Sequence, residues 1–242
     1  MYEFFNYVTV FDHKITVLEI GIPLLFIAII IILIFTFRNK LRLDSKTDKI
    51  VRSILFILLL TFYVSNYILL WTQSSIKISN LPLQLCPISA LLCILLLINK
   101  NKKIFNFVIF TGVLGGIGSV LSPDVSCSFI YYRYYQFMGM HMLIAIVPIY
   151  YAIVYKYLPN KKEAIEIFVA VHILAVFMGI FNTIFNTDYM YISFTKNIGP
   201  RGTILASFGE GYMYIITFEV FVAVLFIIWF YVVRFIFRKN IL

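Results

Sequence analysis

Residues 15–37 read ITVLEIGIPLLFIAIIIILIFTF. A helix that crosses a bilayer needs about 20 mostly apolar residues. This stretch meets that length and holds one charged residue, Glu19. Six further stretches follow the same pattern: 50–71, 81–98, 104–121, 137–157, 163–185 and 212–233. The third and fourth are short but within range, and Arg52 lies near an end of the second, where a long side chain can snorkel. The pattern predicts an all-α, polytopic membrane protein: one domain over residues 1–242, built as a bundle of seven transmembrane helices.

Composition agrees. The chain is 62% hydrophobic and 13% charged, with mean hydropathy +0.96. A soluble domain of this size runs about 45–50% apolar and about 25% charged. A disordered chain is therefore excluded, and a soluble globular enzyme is not expected. Three cysteines with no C-x-x-C pair exclude a disulfide scaffold or a zinc ribbon. The net charge of +9 does not point to nucleic acid, because the basic residues sit in short loops between apolar runs.

Those loops predict the orientation. With the amino terminus outside, 15 Lys and Arg fall inside: Arg38, Lys40, Arg42, Lys46, Lys49, Arg52, Lys100, Lys102, Lys103, Lys156, Lys161, Lys162, Arg234, Arg238 and Lys239. Five fall outside: Lys14, Lys77, Arg133, Lys196 and Arg201. The split follows the positive-inside rule at every loop, and an even number of spans would spoil it. The expected topology is seven helices, amino terminus out and carboxyl terminus in, in a multi-pass cell-membrane protein. The first 14 residues carry Glu3 and Asp12, and the first apolar run is long enough to span, so no cleaved signal peptide is expected. The longest loop, 186–211, is polar, contains Gly199, Pro200 and Gly202, and is placed outside. Tyr131, Tyr132, Tyr134 and Tyr135 read as an interfacial aromatic belt.

Polar groups in hydrocarbon raise a functional question. Within or flanking the spans these are Glu19, Asn66, Gln84, Cys86, Cys93, His141, His172, Asn182 and Glu219, with Asp124 and Asp188 at the outer ends of helices four and six. Counted from the span ends, nearly all lie in the outer half, and only His172 and Cys93 approach the middle. That segregation predicts a polar cavity open to the outer face or leaflet. The alternative is a set of ordinary interhelical hydrogen bonds. In helix three, Asn80 reads as an N-cap, Pro82 suits a first turn, and Pro87 is expected to bend the helix beside Cys86. Gly112, Gly115, Gly116 and Gly118 read as a close-packing face.

The chemistry can be narrowed. Ser119 follows Gly118, but the G-x-S-G motif of an intramembrane serine peptidase is absent. The last span holds no lysine for a retinal Schiff base. The histidines and cysteines differ in depth, so neither a metal site nor a cofactor is expected. Cys86 and His141 remain, at matching depth below the outer surface. A thiol beside an imidazole can act as a nucleophile, while a thiol alone in a span is a small apolar residue.

The run Leu81-Pro82-Leu83-Gln84-Leu85-Cys86-x-Ile88-Ser89 resembles the helix-three signature of the YwaF-like integral membrane proteins, which are related to the transmembrane protein 164 family. Leu121-Ser122-Pro123-Asp124, Tyr135-Gln136-Phe137 before His141, and Asn186-x-Asp188-Tyr189-Met190-Tyr191 continue the resemblance, which covers roughly residues 50–235. It implies a seven-helix membrane protein. Its animal branch implies acyl transfer on phospholipids by a catalytic Cys and His, roles that would fall on Cys86 and His141. The leading expectation is a lipid acyltransferase whose partners are membrane lipids, with Gln84, Asn182, Asp188, Tyr189, Glu219, Glu19, Asp124 and Gln136 lining the substrate cavity. The competing one is a non-enzymatic transporter or receptor-like protein that binds a small polar or cationic ligand through Glu19, Asp188 and Glu219.

Overall fold

The computed structural model describes residues 4–6, 13–125, 127–192, 204–209 and 211–238. Lys196, Arg201, Lys239 and the Gly199, Pro200 and Gly202 loop positions lie outside the described residues. Among the described residues there are eight α-helices and no strand. They are α1 (Val17–Thr36), α2 (Arg38–Leu43), α3 (Ser45–Ser74), α4 (Leu85–Asn99), α5 (Lys102–Leu121), α6 (Tyr132–Val154), α7 (Lys161–Phe185) and α8 (Gly211–Arg238). Six of them, α1, α3, α5, α6, α7 and α8, are long and apolar enough to cross a membrane. The apolar helix α4 has 15 residues.

Local sequence explains the starts. Thr16 caps α1 and forms a capping box with Glu19; Asn160 does the same for α7 with Glu163. Asp44 and Asn101 cap α3 and α5 through side-chain bonds to the Lys46 and Lys103 N–H groups. The Asp44 carboxyl is held below its ordinary value by the Thr47 hydroxyl and the Lys46 N–H. Asn186, in the left-handed region at φ 56°, closes α7.

Two boundaries differ from the sequence expectation, with consequences for the site. The third span is expected from residue 81, yet α4 starts at Leu85. Asn80 belongs to a 3-10 turn, Ile78–Asn80, where its side chain accepts the Lys77 N–H. Pro87 therefore sits in the first turn of α4, where a missing N–H costs nothing, rather than bending the helix. The fifth span is expected from residue 137, yet α6 starts at Tyr132. Tyr132, Tyr134 and Tyr135 form its first turn.

The chain divides into two compact units. The first comprises residues 1–76 and 86–157. Its centre is α6, most of whose residues are buried, among them Ile144, Ala145, Ile146, Val147, Tyr150 and Tyr151. Helices α1, α3 and α5 pack around it. The α5 glycines make the closest approach. A Cβ at Gly112 would stand 2.6 Å from the Ile144 carbonyl oxygen, and one at Gly116 2.5 Å from that of His141. Only hydrogen fits at these two, so the expected close packing is present at Gly112 and Gly116, whereas Gly118 has open space around it.

The second unit comprises residues 77–85 and 158–242. Here Ala175 and Met178 of α7 pack with Tyr189, Met190 and Ile192 of the loop that follows it, against Leu81, Leu83 and Leu85.

Candidate functional site

Cys86 is the second residue of α4, so its sulfur lies in the first turn of the helix, where the positive end of the helix dipole acts. A helix counted from residue 81 would put it more than a turn away. Its side chain meets α5. The sulfur is 3.8 Å from Ser119 Oγ, and a Cβ at Gly115 would come within 3.2 Å of it. Three residues further along α4, Ser89 Oγ donates to Thr111 Oγ1 at 2.9 Å in the buried interface. This antiparallel register brings Cys86 level with Gly115.

His141 is the tenth residue of α6 and is buried. Counted from helix ends, the two residues would differ in depth by about 12 Å at 1.5 Å per residue. Register decides otherwise, because the His141 carbonyl packs on Gly116, next along α5 from the glycine under Cys86. Cys86 and His141 therefore stand at one level of the first unit, and α6 simply starts higher. No hydrogen bond joins them directly: the sulfur's partner is Ser119. His141 Nδ1 lies 2.7 Å from the Phe137 carbonyl oxygen, and a carbonyl only accepts, so Nδ1 carries the proton. Nε2 then presents its lone pair and makes no hydrogen bond among the described residues. The Phe137 ring lies 4.2 Å from the imidazole, centroid to centroid. Sequence reasoning tests Ser119 only against a peptidase motif, and nothing local in the sequence marks it as the thiol's neighbour.

The other predicted residues fall into separate clusters. Glu19, buried in the first unit, accepts the Thr16 N–H and hydroxyl at 2.8 Å each and the Phe129 N–H at 3.3 Å, and meets His13 Nε2 at 2.9 Å. Its carboxylate caps α1 and ties down the 127–130 loop. Gln136 is buried and donates to the Phe62 carbonyl at 3.2 Å, while Asp124 is exposed. In the second unit, Asn182 makes four bonds. Its Nδ2 donates to the Tyr189 and Ile192 carbonyls at 2.8 and 2.6 Å, and its Oδ1 accepts the Thr187 hydroxyl and Tyr189 N–H at 2.8 and 2.9 Å. Gln84 Oε1 accepts the Met190 N–H at 2.6 Å, and the Tyr189 hydroxyl accepts the Leu81 N–H at 2.8 Å while donating to Ile78. Burial raises the Tyr189 phenol above its ordinary value, so it keeps the proton it donates. These three side chains clamp the segment before α4 to the loop after α7. The clamp holds Met190 and Tyr191 at φ 55° and 54°, a strained region for side-chain-bearing residues. Asp188 is exposed.

Glu219 has a different partner. Its Oε2 lies 2.7 Å from Nε2 of His172 on α7. In the sequence His172 stands apart as a mid-membrane residue, and the structure makes it half of a hydrogen-bonded pair.

A further polar centre escapes the sequence. Asp48, in the first turn of α3, is buried. It accepts the Tyr150 and Tyr155 hydroxyls at 2.7 Å each, pairs with Arg52 at 3.0 Å, and has Lys100 at 3.7 Å. Arg52 donates to the Leu97 carbonyl at 2.7 Å instead of reaching for the surface. Buried polar groups thus lie toward both ends of α6, Gln136 near its start and the Asp48–Tyr150 contact near its end. Among the described residues no group of three or more His, Cys, Asp or Glu is placed to hold a metal ion, and all three cysteines are free.

Six long apolar helices, with no strand among the described residues, define a multi-pass membrane protein. Residues 10–230 match the TMEM164 family, and the chain belongs to that family. The resemblance read from the motifs around Cys86, Asp124, His141 and Asp188 is thereby shown. No curated protein and no solved structure is significantly similar to the chain.

Proposed function

We propose that this protein is a membrane-embedded lipid acyltransferase in which Cys86 is the nucleophile and His141 the base. The observation that carries the reading is the level shared by Cys86 and His141 across Gly115 and Gly116 of α5, with the lone pair of His141 Nε2 left uncommitted. TMEM164 family membership supports the membrane setting. In this reading α4 is the seventh crossing, the amino terminus is outside, and the loops keep their 15-to-5 split of basic residues. At about 22 Å, α4 is shorter than the hydrocarbon core is thick. Its N-terminal turn therefore opens below the outer surface, at the depth of a phospholipid's ester carbonyls.

The chemistry balances without a cofactor. His141 Nε2 takes the thiol proton, directly or through the Ser119 hydroxyl. The thiolate attacks an ester carbonyl, the C–S bond forms, and the positive end of α4 steadies the oxyanion. The ester C–O bond breaks, and the imidazolium returns its proton to the lysolipid alkoxide. An acceptor hydroxyl then attacks the thioester and the thiol is restored.

The test is incubation of purified protein in nanodiscs with acyl-labelled phospholipid. A hydroxylamine-sensitive acyl adduct is expected on the peptide that carries Cys86, and it disappears in Cys86→Ala. Acyl transfer that survives in Cys86→Ala, or no adduct under any lipid composition, overturns the proposal.

A further inference from the structure

The His172–Glu219 pair takes no part in the chemistry above. His172 is near the middle of α7, and Glu219 is two turns into α8. Ionisable groups in hydrocarbon are costly and mark function unless they are satisfied. Here the satisfaction is incomplete. His172 Nδ1 lies 2.7 Å from the Phe168 carbonyl oxygen and so donates its proton there. Nε2 and Glu219 Oε2, 2.7 Å apart, would then be two acceptors face to face unless a proton lies between them. The pair therefore holds one shared proton and has no net charge. Every polar atom of the imidazole is committed, and Glu219 Oε2 is too. Glu219 Oε1 alone has no hydrogen-bond partner among the described residues, and it is an acceptor wherever the shared proton sits along the Nε2–Oε2 line.

The pair is reachable. The two side chains are 31% and 38% exposed, and His172 lines a groove of about 420 Å³ with Phe168, Val169, Ile173 and Val176. Apart from His172 that lining is apolar. A ligand seated here needs an apolar body and one hydrogen-bond donor. It must also be neutral, because an uncharged pair in hydrocarbon offers no countercharge to an ammonium group. We propose that this groove binds a lipid alcohol, an acylglycerol with a free hydroxyl, whose chain lies along α7 and whose hydroxyl donates to Glu219 Oε1. The site stands independently of the acyl-transfer reading.

The test uses the full chain in phosphatidylcholine nanodiscs and a diacylglycerol carrying a photoreactive diazirine and an alkyne. Its counterpart is the same lipid with the hydroxyl capped as an acetate. The free alcohol is expected to label α7 between Phe168 and Val176, with unlabelled alcohol displacing it. The capped probe should label about tenfold less, the order of one hydrogen bond inside a membrane. Ile173→Trp, which fills the groove, and Glu219→Ala, which removes the acceptor, should each reduce labelling to the capped level. Glu219→Gln should retain it, because the amide N–H satisfies the His172 lone pair and leaves Oε1 free. Equal labelling by the capped probe in the wild-type chain overturns the proposal without any variant. So does labelling that maps away from α7, or loss in Glu219→Gln as complete as in Glu219→Ala, since that would mean charge and not an acceptor holds the ligand.

Discussion

His141 on α6 and His172 on α7 are built alike. Each has a phenylalanine four residues earlier, Phe137 and Phe168, whose carbonyl takes the Nδ1 proton at 2.7 Å. Each has that phenylalanine's ring against the imidazole, at 4.2 and 4.0 Å. The local motif, F-x-x-x-H on a helix, therefore fixes the same tautomer twice and aims Nε2 outward twice. What differs is what Nε2 meets. For His141 it meets no hydrogen-bond donor or acceptor among the described residues, and a thiol stands at the same level on a neighbouring helix. For His172 it meets a carboxylate, with which it must share a proton. An open lone pair can take a proton from a nucleophile, whereas one already bridged to Glu219 cannot. The motif sets the geometry, and the packing partner sets the chemistry.

The largest effect separates the two directly. His141→Ala should slow formation of the Cys86 acyl adduct by about 10²–10⁴-fold, the contribution of a general base. His172→Ala should leave it within about twofold. Both are read by timed acylation with labelled phospholipid. Comparable losses in the two variants would erase the distinction between the two histidines.

The next effect asks whether packing holds His141 in place. Gly116→Ala would put a methyl 2.5 Å from the His141 carbonyl oxygen, which is backbone and cannot swing aside. The expected cost is about 1–3 kcal/mol, seen as a lower thermal unfolding midpoint in detergent. Gly118→Ala, on the same helix with open space around it, should be neutral or gain about 0.5–1 kcal/mol by removing helical glycine. If both glycines tolerate alanine equally, α5 does not set the level of His141.

How much of this is legible in the sequence depends on the range of the signal. The apolar runs are legible because a bilayer demands length and hydropathy, and six recur as long helices. Thr16-x-x-Glu19 spells a capping box, yet a carboxylate inside a span also suggests a cavity, and the Glu19 oxygens are taken up by Thr16, His13 and the Phe129 N–H. The start of α4 is hard to place because Asn80 looks like an N-cap while its side chain serves the turn before. That four-residue difference moves Cys86 from the second turn into the first. Asp48 is hidden by a boundary: with α3 taken from residue 50 it is loop, whereas the helix starts at Ser45 and buries it. The His172–Glu219 pair joins residues 47 apart on two helices, and no periodicity signals it. Counted from the helix ends that form, Cys86 and His141 would differ in depth by about 12 Å, so their common level is legible only in the packing on Gly115 and Gly116.

The smallest effect is also the cleanest discriminator, because it reads stability and not activity. A double-mutant cycle on His172→Leu and Glu219→Leu measures whether the two residues interact beyond their separate contributions. Each single variant leaves one polar group in hydrocarbon without its partner, while the double variant leaves none. The double should therefore be more stable than the sum of the singles allows, with a coupling of about 0.5–2 kcal/mol, modest because both side chains are a third exposed and membrane hydrogen bonds average low. The same cycle on Cys86→Ala and His141→Ala should be additive within about 0.5 kcal/mol, since no hydrogen bond joins those two side chains in the resting protein. In acyl transfer the second pair should reverse its behaviour. Either single variant should lose nearly as much as the double, because residues that act as one unit fail together. A large stability coupling between Cys86 and His141 would mean that they are bonded at rest, and Ser119 would then no longer stand as the separate partner of the sulfur.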